Sequence, residues 1–305
     1  MIRYADLFCG IGAFHQAFKK HGSFSCVMAS DINEGVRKVY EANHGVAPLG
    51  DVRSVEADSV PDLDLICAGI PCQSFSIAGQ KKGFGDDNGN LFWELLRLVK
   101  AKNPHMVIVE NVKNLKTHDK GKTFATIKKS FEDLGYGFFA KVLNSSHYGS
   151  PQSRQRIFMV AVRSGGFIFP EARTHSVPVN SILDPECSSS MDLGGYNLVG
   201  KNTSPKPFKP RILYNIVSKD TGKGGRQGER IYDPDCCGIT VCASSGGPGA
   251  KTGLYKVGEC VRRLSPAECL SMFGFPKNFN FAGLPEEQKI FYLGNSIVVN
   301  VVEAL

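Results

Sequence analysis

Residues 3–14, RYADLFCGIGAF, decide the first element of the fold. The apolar run through Leu7 and Phe8 reads as a buried strand. Gly10 and Gly12 then turn the chain, and AFHQAFKKHG (13–22) reads as a helix ending at Gly22. A strand, a glycine turn and a helix open a βαβ unit. Glycines at such a turn let the backbone approach a ligand closely, and the helix that follows offers free N–H groups. A G-x-G pair by itself fits a plain tight turn equally well.

The same alternation continues outward. FSCVMASD (24–31) is a second strand, and NEGVRKVYEANHG (33–45) a second helix stopped by Gly45. DLDLICAG, PHMVIVENV and RQRIFMVAV are further strands. Near-continuous apolar runs between amphipathic helices predict an α/β fold with a mostly parallel sheet covered by helices on both faces. Ligands of such sheets bind at the carboxyl ends of the strands. The second strand ends at Asp31, where a carboxylate can hold ribose hydroxyls. Asp51, in LGDV, follows a third candidate strand and is placed to accept from an adenine amino group. Together these features predict a nucleoside-containing cofactor and leave open a dinucleotide or S-adenosylmethionine.

The chain has 305 residues, 42% hydrophobic and 21% charged, enough for a sizeable core. Asp6 interrupts the N-terminal apolar stretch, so it has no signal-peptide layout, and no window is long enough to span a bilayer. A soluble cytoplasmic protein is expected. The ten cysteines include no C-x-x-C pair and no histidine at zinc-ligand spacing, so reduced thiols and no metal are expected. The net charge is +7, and residues 201–263 carry 12 Lys+Arg against 5 Asp+Glu, the whole of that excess. Such a basic, glycine-rich window suits a polyanion, although a solvated irregular face has the same composition. Past about residue 170 the sequence turns Ser-, Pro- and Gly-rich with short strand candidates, predicting a second, smaller, β-rich domain. Helical spacing returns at RRLSPAECLSMFGFP, so the expected boundaries are 1–177 with 263–305 for the larger domain and 178–262 for the smaller.

Chemistry collects at the strand ends. Cys72 in AGIPCQSFS (68–76) stands at the mouth of a loop, between a proline and a glutamine, where a thiol is displayed instead of packed. VIVENV ends in Glu110 and Asn111, and PQSRQRIF places Arg154 and Arg156 at alternate positions, on one face of a starting strand. Guanidiniums there require anionic partners.

In order along the chain, DLFCGIGAF, GIPCQSFS, VENVKNL, PQSRQRIF and LGNSIVVNVV resemble the signatures of DNA (cytosine-5)-methyltransferases of the bacterial restriction–modification type. The resemblance spans Tyr4 to about Val302. GKGGRQGERIY (222–232) is similar to the recognition segment of a GCGC-specific enzyme, with Arg226 as an added residue. It implies a Rossmann-like S-adenosylmethionine-dependent methyltransferase domain and a target-recognition domain. Cys72 would be the nucleophile that adds to carbon 6 of cytosine. Glu110 would grip the N3 and amino edge, Arg154 the O2 side, and Arg156 would steady Cys72. Around S-adenosylmethionine, left as S-adenosylhomocysteine after transfer, the resemblance implies Phe8, Gly10, Gly12, Asp31, Ile32, Asp51, Val52, Pro71, Asn295 and Ile297. Asp31 stands where the family often has glutamate, and Ile32 where an aromatic often covers adenine.

The target atom is hidden in a duplex, so the base must be flipped out. The loop 73–90 is the natural one to enclose it, with Ser76, Gln80 and Lys81 as DNA contacts. Gln227, Arg230, Thr240 and Gly247 would read or approach double-stranded DNA from the recognition domain. The family implies a monomer, a bacterial or phage origin and a companion restriction endonuclease; members continue through a longer terminal helix than the one reaching Leu305. Three other readings compete: an RNA cytosine-5 methyltransferase, a non-catalytic DNA-binding relative, and a dinucleotide oxidoreductase. The last gives no role to Pro71–Cys72–Gln73 or to the basic window.

Overall fold

The computed structural model describes residues 1–71, 91–184, 190–201 and 203–305. Cys72, Ser76, Gln80, Lys81 and Cys187 lie outside the described residues. The chain forms two compact units. One comprises Met1–Leu143, Gln155–Pro170 and Leu305, the other Asn144–Arg154 and Glu171–Ala304.

The first unit is built on six strands, β1 (Ile2–Leu7), β2 (Phe24–Ser30), β3 (Leu65–Gly69), β4 (Met106–Val112), β5 (Gly137–Asn144) and β6 (Gln155–Val162), in the order β2-β1-β3-β4-β6-β5. β1 pairs in parallel with β2 and β3, and β3 with β4, whereas β4 and β6 are antiparallel. Among the described residues, four helices accompany them, α1 (Ala13–Lys19), α2 (Glu34–His44), α3 (Leu91–Lys102) and α4 (Lys122–Asp133).

Alternation along β1 shows how both faces are covered. Ala5 and Leu7 join Ile66, Ala68, Val107 and Val109 in a core with Phe92 and Leu95 of α3 and Ile127 and Phe131 of α4. Tyr4 and Asp6 face the other way: Tyr4 packs edge-on against Phe18 of α1, and Asp6 accepts a hydrogen bond from Tyr40 of α2. The helices form because their apolar residues recur every three or four positions, as Phe92, Leu95, Leu96 and Val99 do. Asn33 caps α2 by accepting from the Val36 N–H, and Gly45 ends it at φ 68°.

Two local expectations change. The segment before Asp51 is not a strand; it makes a single parallel bridge, Ser30 to Leu49. The chain passes directly into a short 3-10 turn, Val52–Ser54, in which the Asp51 side chain accepts from the Arg53 N–H. β6 begins at Gln155, so Arg154 precedes the strand and does not share its face with Arg156.

The second unit holds a five-stranded sheet, β7 (Tyr196–Gly200), β8 (Ile212–Ser218), β9 (Arg230–Tyr232), β10 (Leu254–Val257) and β11 (Cys260–Arg262), in the order β11-β10-β9-β8-β7. Ile216, Ile231 and Leu254 form its small core with Tyr196, Tyr214 and Val261. The same unit contains α5 (Pro266–Met272), α6 (Glu286–Asn295) and α7 (Val299–Ala304). Among the described residues no helix is long and apolar enough to cross a membrane, and no His, Cys, Asp or Glu group forms a candidate metal site.

Candidate active site

The turn after β1 is built from three left-handed residues, Phe8 (φ 54°), Gly10 (φ 54°) and Gly12 (φ 88°). A non-glycine residue in that region is strained, and such strain collects at ligand sites. The two glycines serve different sides. A Cβ on Gly10 would point into open space, whereas one on Gly12 would lie 2.2 Å from Nε2 of His44. Gly10 therefore lies on the open side of the turn, and Gly12 is pressed against the interior. Asp31 latches the turn: its Oδ2 accepts from the Gly10 N–H (3.0 Å) and its Oδ1 from the Asn33 N–H (2.9 Å). Burial raises the Asp31 pKa, while these two N–H groups and the Arg37 charge work against that rise. Each carboxylate oxygen keeps acceptor capacity for a diol. Ile32 beside it is 68% exposed, leaving its apolar surface available to a ring.

Asp51 accepts from the Arg53 backbone N–H and from its guanidinium through both oxygens, which holds its carboxyl below the usual range. An adenine amino group would share these oxygens with Arg53. The Val52 side chain lies in the hydrophobic core, so any cofactor contact there is made by its backbone.

At the next strand ends Gly69 of β3 lies opposite Glu110 of β4. Because β6 runs antiparallel to β4, its first residues lie at the carboxyl end of β4, with Arg156 opposite Val112. Glu110 and Arg156 are diagonal neighbours on one face. Arg156 Nε is 3.3 Å from Glu110 Oε1, and the Glu110 residue is 8% exposed. Asn111 points to the opposite face: its Nδ2 donates to the Ile70 carbonyl at 2.9 Å and its Oδ1 accepts from the Val112 N–H. It thereby holds the backbone just before exposed Pro71. Asn111→Ala leaves that carbonyl without its donor and is expected to cost about 1–3 kcal/mol, measured by urea unfolding of the full chain. A loss within about 0.3 kcal/mol would show the bond to be dispensable.

Arg154, which the resemblance assigns to the cytosine O2, donates to backbone carbonyls. In the second unit its Nη1 donates to the Val241 carbonyl (3.0 Å) and its Nη2 to the carbonyls of Gly294 and Ser296 (2.9 Å each). The guanidinium also lies 5.2 Å from the Phe273 ring centre. These bonds clamp the backbone on both sides of Asn295, which is exposed at the end of α6, while Ile297 is buried. Arg156 has its Nε beside the Glu110 carboxylate.

The proposed DNA-reading residues that are described come together in the second unit. Gln227 Nε2 donates to the Thr240 carbonyl at 3.3 Å, and the Thr240 hydroxyl donates to the Ser153 carbonyl at 2.8 Å. Gly247 packs on Gly228, and the Gly249 N–H donates to the Gly228 carbonyl. Arg230 Nε donates to the Gly225 carbonyl, which turns the guanidinium along the glycine-rich segment.

Residues 2–305 match the profile of the C-5 cytosine-specific DNA methylases. The chain belongs to that family. This methylase is 38% identical over 313 residues to the Type II methyltransferase M.HhaI of Haemophilus parahaemolyticus, covering 99% of this chain and 92% of that one. It is 35% identical to the Type II methyltransferase M.NgoBI of Neisseria gonorrhoeae, covering 100% and 92%. Among solved structures it resembles S. pombe Dnmt2 methyltransferase, with a TM-score of 0.74, 20% identity and coverage of 100% and 97%. An E. coli prophage-encoded putative DNA modification methyltransferase gives 0.68, 19%, 100% and 97%. These two likenesses show the fold. The chain is a DNA (cytosine-5)-methyltransferase with the expected α/β fold.

The methylase also depends on residues that sequence reasoning passed over. Gln152 is fully buried, donating to the Met272 carbonyl and accepting from the Val241 N–H. It helps hold the strand of backbone to which Arg154 is tied. His44 acts from behind the turn already described. The acceptors of Gln152 and His44 are backbone carbonyls, which carry no residue signature in a sequence.

Proposed function

We propose that this methylase transfers the methyl group of S-adenosylmethionine to carbon 5 of a cytosine flipped out of a duplex site, through a covalent bond between Cys72 and carbon 6. The observation that carries the reading is the Glu110–Arg156 pair at the carboxyl edge of β4, one strand from the Pro71 turn. The turn at Phe8–Gly12 and the Asp31 carboxylate would hold the adenosine part of the cofactor, with Ile32, Asp51, the Val52 backbone and Pro71 around it. Asn295 and Ile297 are assigned to the cofactor by the resemblance. When bound, the cofactor supplies an electrophilic methyl group on a sulfonium.

The chain's own groups prepare the acceptor. The Cys72 thiolate forms a bond to carbon 6, and the displaced double-bond electrons place density on carbon 5. Glu110 holds the N3 edge and favours a proton there as the sulfur adds. Because the Arg154 Nη groups are committed to carbonyls, Arg156 takes the O2 side and keeps Glu110 in place. After methylation, loss of the carbon 5 proton and cleavage of the sulfur–carbon bond restore the aromatic ring. Buried thiols suit this role poorly: burial pushes Cys67 and Cys9 far above their ordinary pKa and Cys26 up to about 11. An unperturbed thiol has a pKa of about 8.5.

The basic window 201–263, within a recognition domain at 178–262, would bind the DNA and read its site, with Gln227, Arg230, Thr240 and Gly247 nearest the bases or backbone. Ser76, Gln80 and Lys81 would contact DNA from the loop after Cys72. Modification beside a restriction endonuclease in a bacterial cytoplasm fits the Type II relatives, and a monomer is what the family resemblance implies. The test is transfer of labelled methyl from S-adenosylmethionine to unmethylated plasmid DNA, a GCGC-free DNA and a structured RNA. Transfer to the plasmid alone supports duplex DNA and the site; equal transfer to both DNAs removes the GCGC assignment. Transfer to RNA alone overturns the substrate.

A further inference from the structure

Behind the cofactor turn lies a buried polar assembly that the proposed chemistry does not use. Asp6 of β1 is 0% exposed, and its Oδ2 accepts from the Tyr40 hydroxyl at 3.3 Å. Nδ1 of His15, on α1, is 3.0 Å from the same hydroxyl. The His15 ring stacks on His44, with centres 4.4 Å apart and planes 22° apart. Nε2 of His44 is 3.3 Å from the Ile11 carbonyl, inside the Gly10–Gly12 turn. The His44 ring also occupies the space where a Gly12 side chain would begin, and the edge of Tyr40 packs against it with centres 4.7 Å apart.

Donor and acceptor capacity fixes the protons. A carbonyl only accepts, so His44 carries its hydrogen on Nε2. Tyr40 gives its proton to Asp6, so its oxygen accepts and His15 donates from Nδ1. Each imidazole thus donates from one fixed nitrogen, Nε2 in His44 and Nδ1 in His15. We propose that His44 is a positioning residue for methyl transfer. It holds the Ile11 carbonyl and fills the Gly12 contact, while the His15–Tyr40–Asp6 chain keeps the stacked partner in place. The turn is then ligand-ready only while both imidazoles are neutral. This rests on the reading that the turn takes S-adenosylmethionine.

The groups facing the pair agree with that requirement. They are Asp6 and Tyr4 from β1, Cys9 from the turn, Cys26 from β2, Lys19 from α1 and Tyr40 from α2, with Asp31 on the far side of the turn. Asp6 is occupied by Tyr40, Lys19 repels a second positive charge, and an imidazolium would face its stacked neighbour. Burial, first, and Lys19, second, push His15 down to about 4; burial and then His15 push His44 down to about 4. Both values lie below the ordinary value of about 6.5. A loosened turn, with solvated imidazoles, therefore binds more protons than the formed one. Acidification favours the loosened turn from about pH 6.5 downward, and the effect levels off near about pH 4.

The test is binding of S-adenosylhomocysteine to the full chain by titration calorimetry between about pH 7.5 and 5.5, where a free imidazole changes charge. The parent is expected to lose roughly three- to tenfold in affinity over that range as the competent fraction falls. His44→Phe keeps the ring volume but has no donor and no titration. It is expected to bind several-fold more weakly at about pH 7.5, with the pH dependence at least halved. His15 and the carboxyls of Asp6 and Asp31, both raised by burial, still titrate in that variant and account for the residual slope. His15→Gln keeps a donor for Tyr40 and serves as the second variant if His44→Phe does not fold; its slope is also expected to fall. A parent-like slope in the folded variants overturns the proposal. A parent that does not bind, or whose affinity is unchanged by Phe8→Ala, overturns the cofactor reading of the turn and the proposal with it.

Discussion

Replacing Cys72 with alanine is expected to abolish methyl transfer, and Glu110→Gln to slow it by about a hundred- to ten-thousandfold. Without a nucleophile at carbon 6, carbon 5 of cytosine gains no electron density and does not attack a sulfonium. Glu110→Gln is a subtler loss. Glutamine has nearly the same shape, but it cannot take the acidic role at N3, and its amide N–H groups oppose the amino group of the base. It also leaves Arg156 without the carboxylate that sits 3.3 Å from its Nε. Both variants should still bind DNA and cofactor, so single-turnover transfer beside filter binding separates chemistry from affinity. Undiminished transfer by Cys72→Ala would rule out the covalent route. A parent-like rate for Glu110→Gln would remove the carboxylate from the proton chemistry.

The second large effect is on stability. Arg262 and Glu268 are each 2% exposed and meet in a two-pronged pair, Nη1 to Oε2 at 2.9 Å and Nη2 to Oε1 at 2.8 Å. Glu268 also accepts from the backbone N–H groups of Asp184 and Ser265, closing the N-terminus of α5. Burial works to raise the Glu268 pKa, but the Arg262 hydrogen bonds, the two N–H groups and the Arg262 charge together hold it below the usual range. Glu268→Ala strands a buried guanidinium and removes the cap, and is expected to cost about 3–5 kcal/mol in urea unfolding. Arg262→Met with Glu268→Leu should recover much of this, because no charge is left buried. For a carboxyl with a lowered folded pKa, the stabilisation is present above about pH 4.3. It is lost as pH falls through the folded value. A single-variant loss below about 1 kcal/mol would mean that water or rearrangement replaces the pair.

The first two strands and helices were legible because each has local punctuation: the glycine turn at Gly10 and Gly12, the Asn33 cap, the Gly45 stop. β5 was not, since most of Gly137–Asn144 is exposed or half-buried and leaves no apolar run. Leu49 looked like part of a strand but makes one bridge before Asp51 caps its 3-10 turn. Glu110 and Arg156 were recognisable as residues at strand ends, yet their pairing depends on β6 running antiparallel to β4, a property of register. The Arg154 hydrogen bonds were not legible for a deeper reason. Their acceptors are carbonyls, which every residue possesses, so nothing marks Val241, Gly294 or Ser296 as the destination.

The Arg154 clamp also bears on the order in which the chain can fold. It joins residues 87, 140 and 142 positions apart, so its loops close only after Ser296 has left the ribosome. By contrast, the six-stranded sheet is complete in sequence at Val162. Chains fold from the N-terminus as they are made, and distant contacts are slow to form. The sheet that carries Glu110 and the Phe8–Gly12 turn should therefore be assembled while residues 144–154, lying between β5 and β6, still await partners from the far end of the sequence.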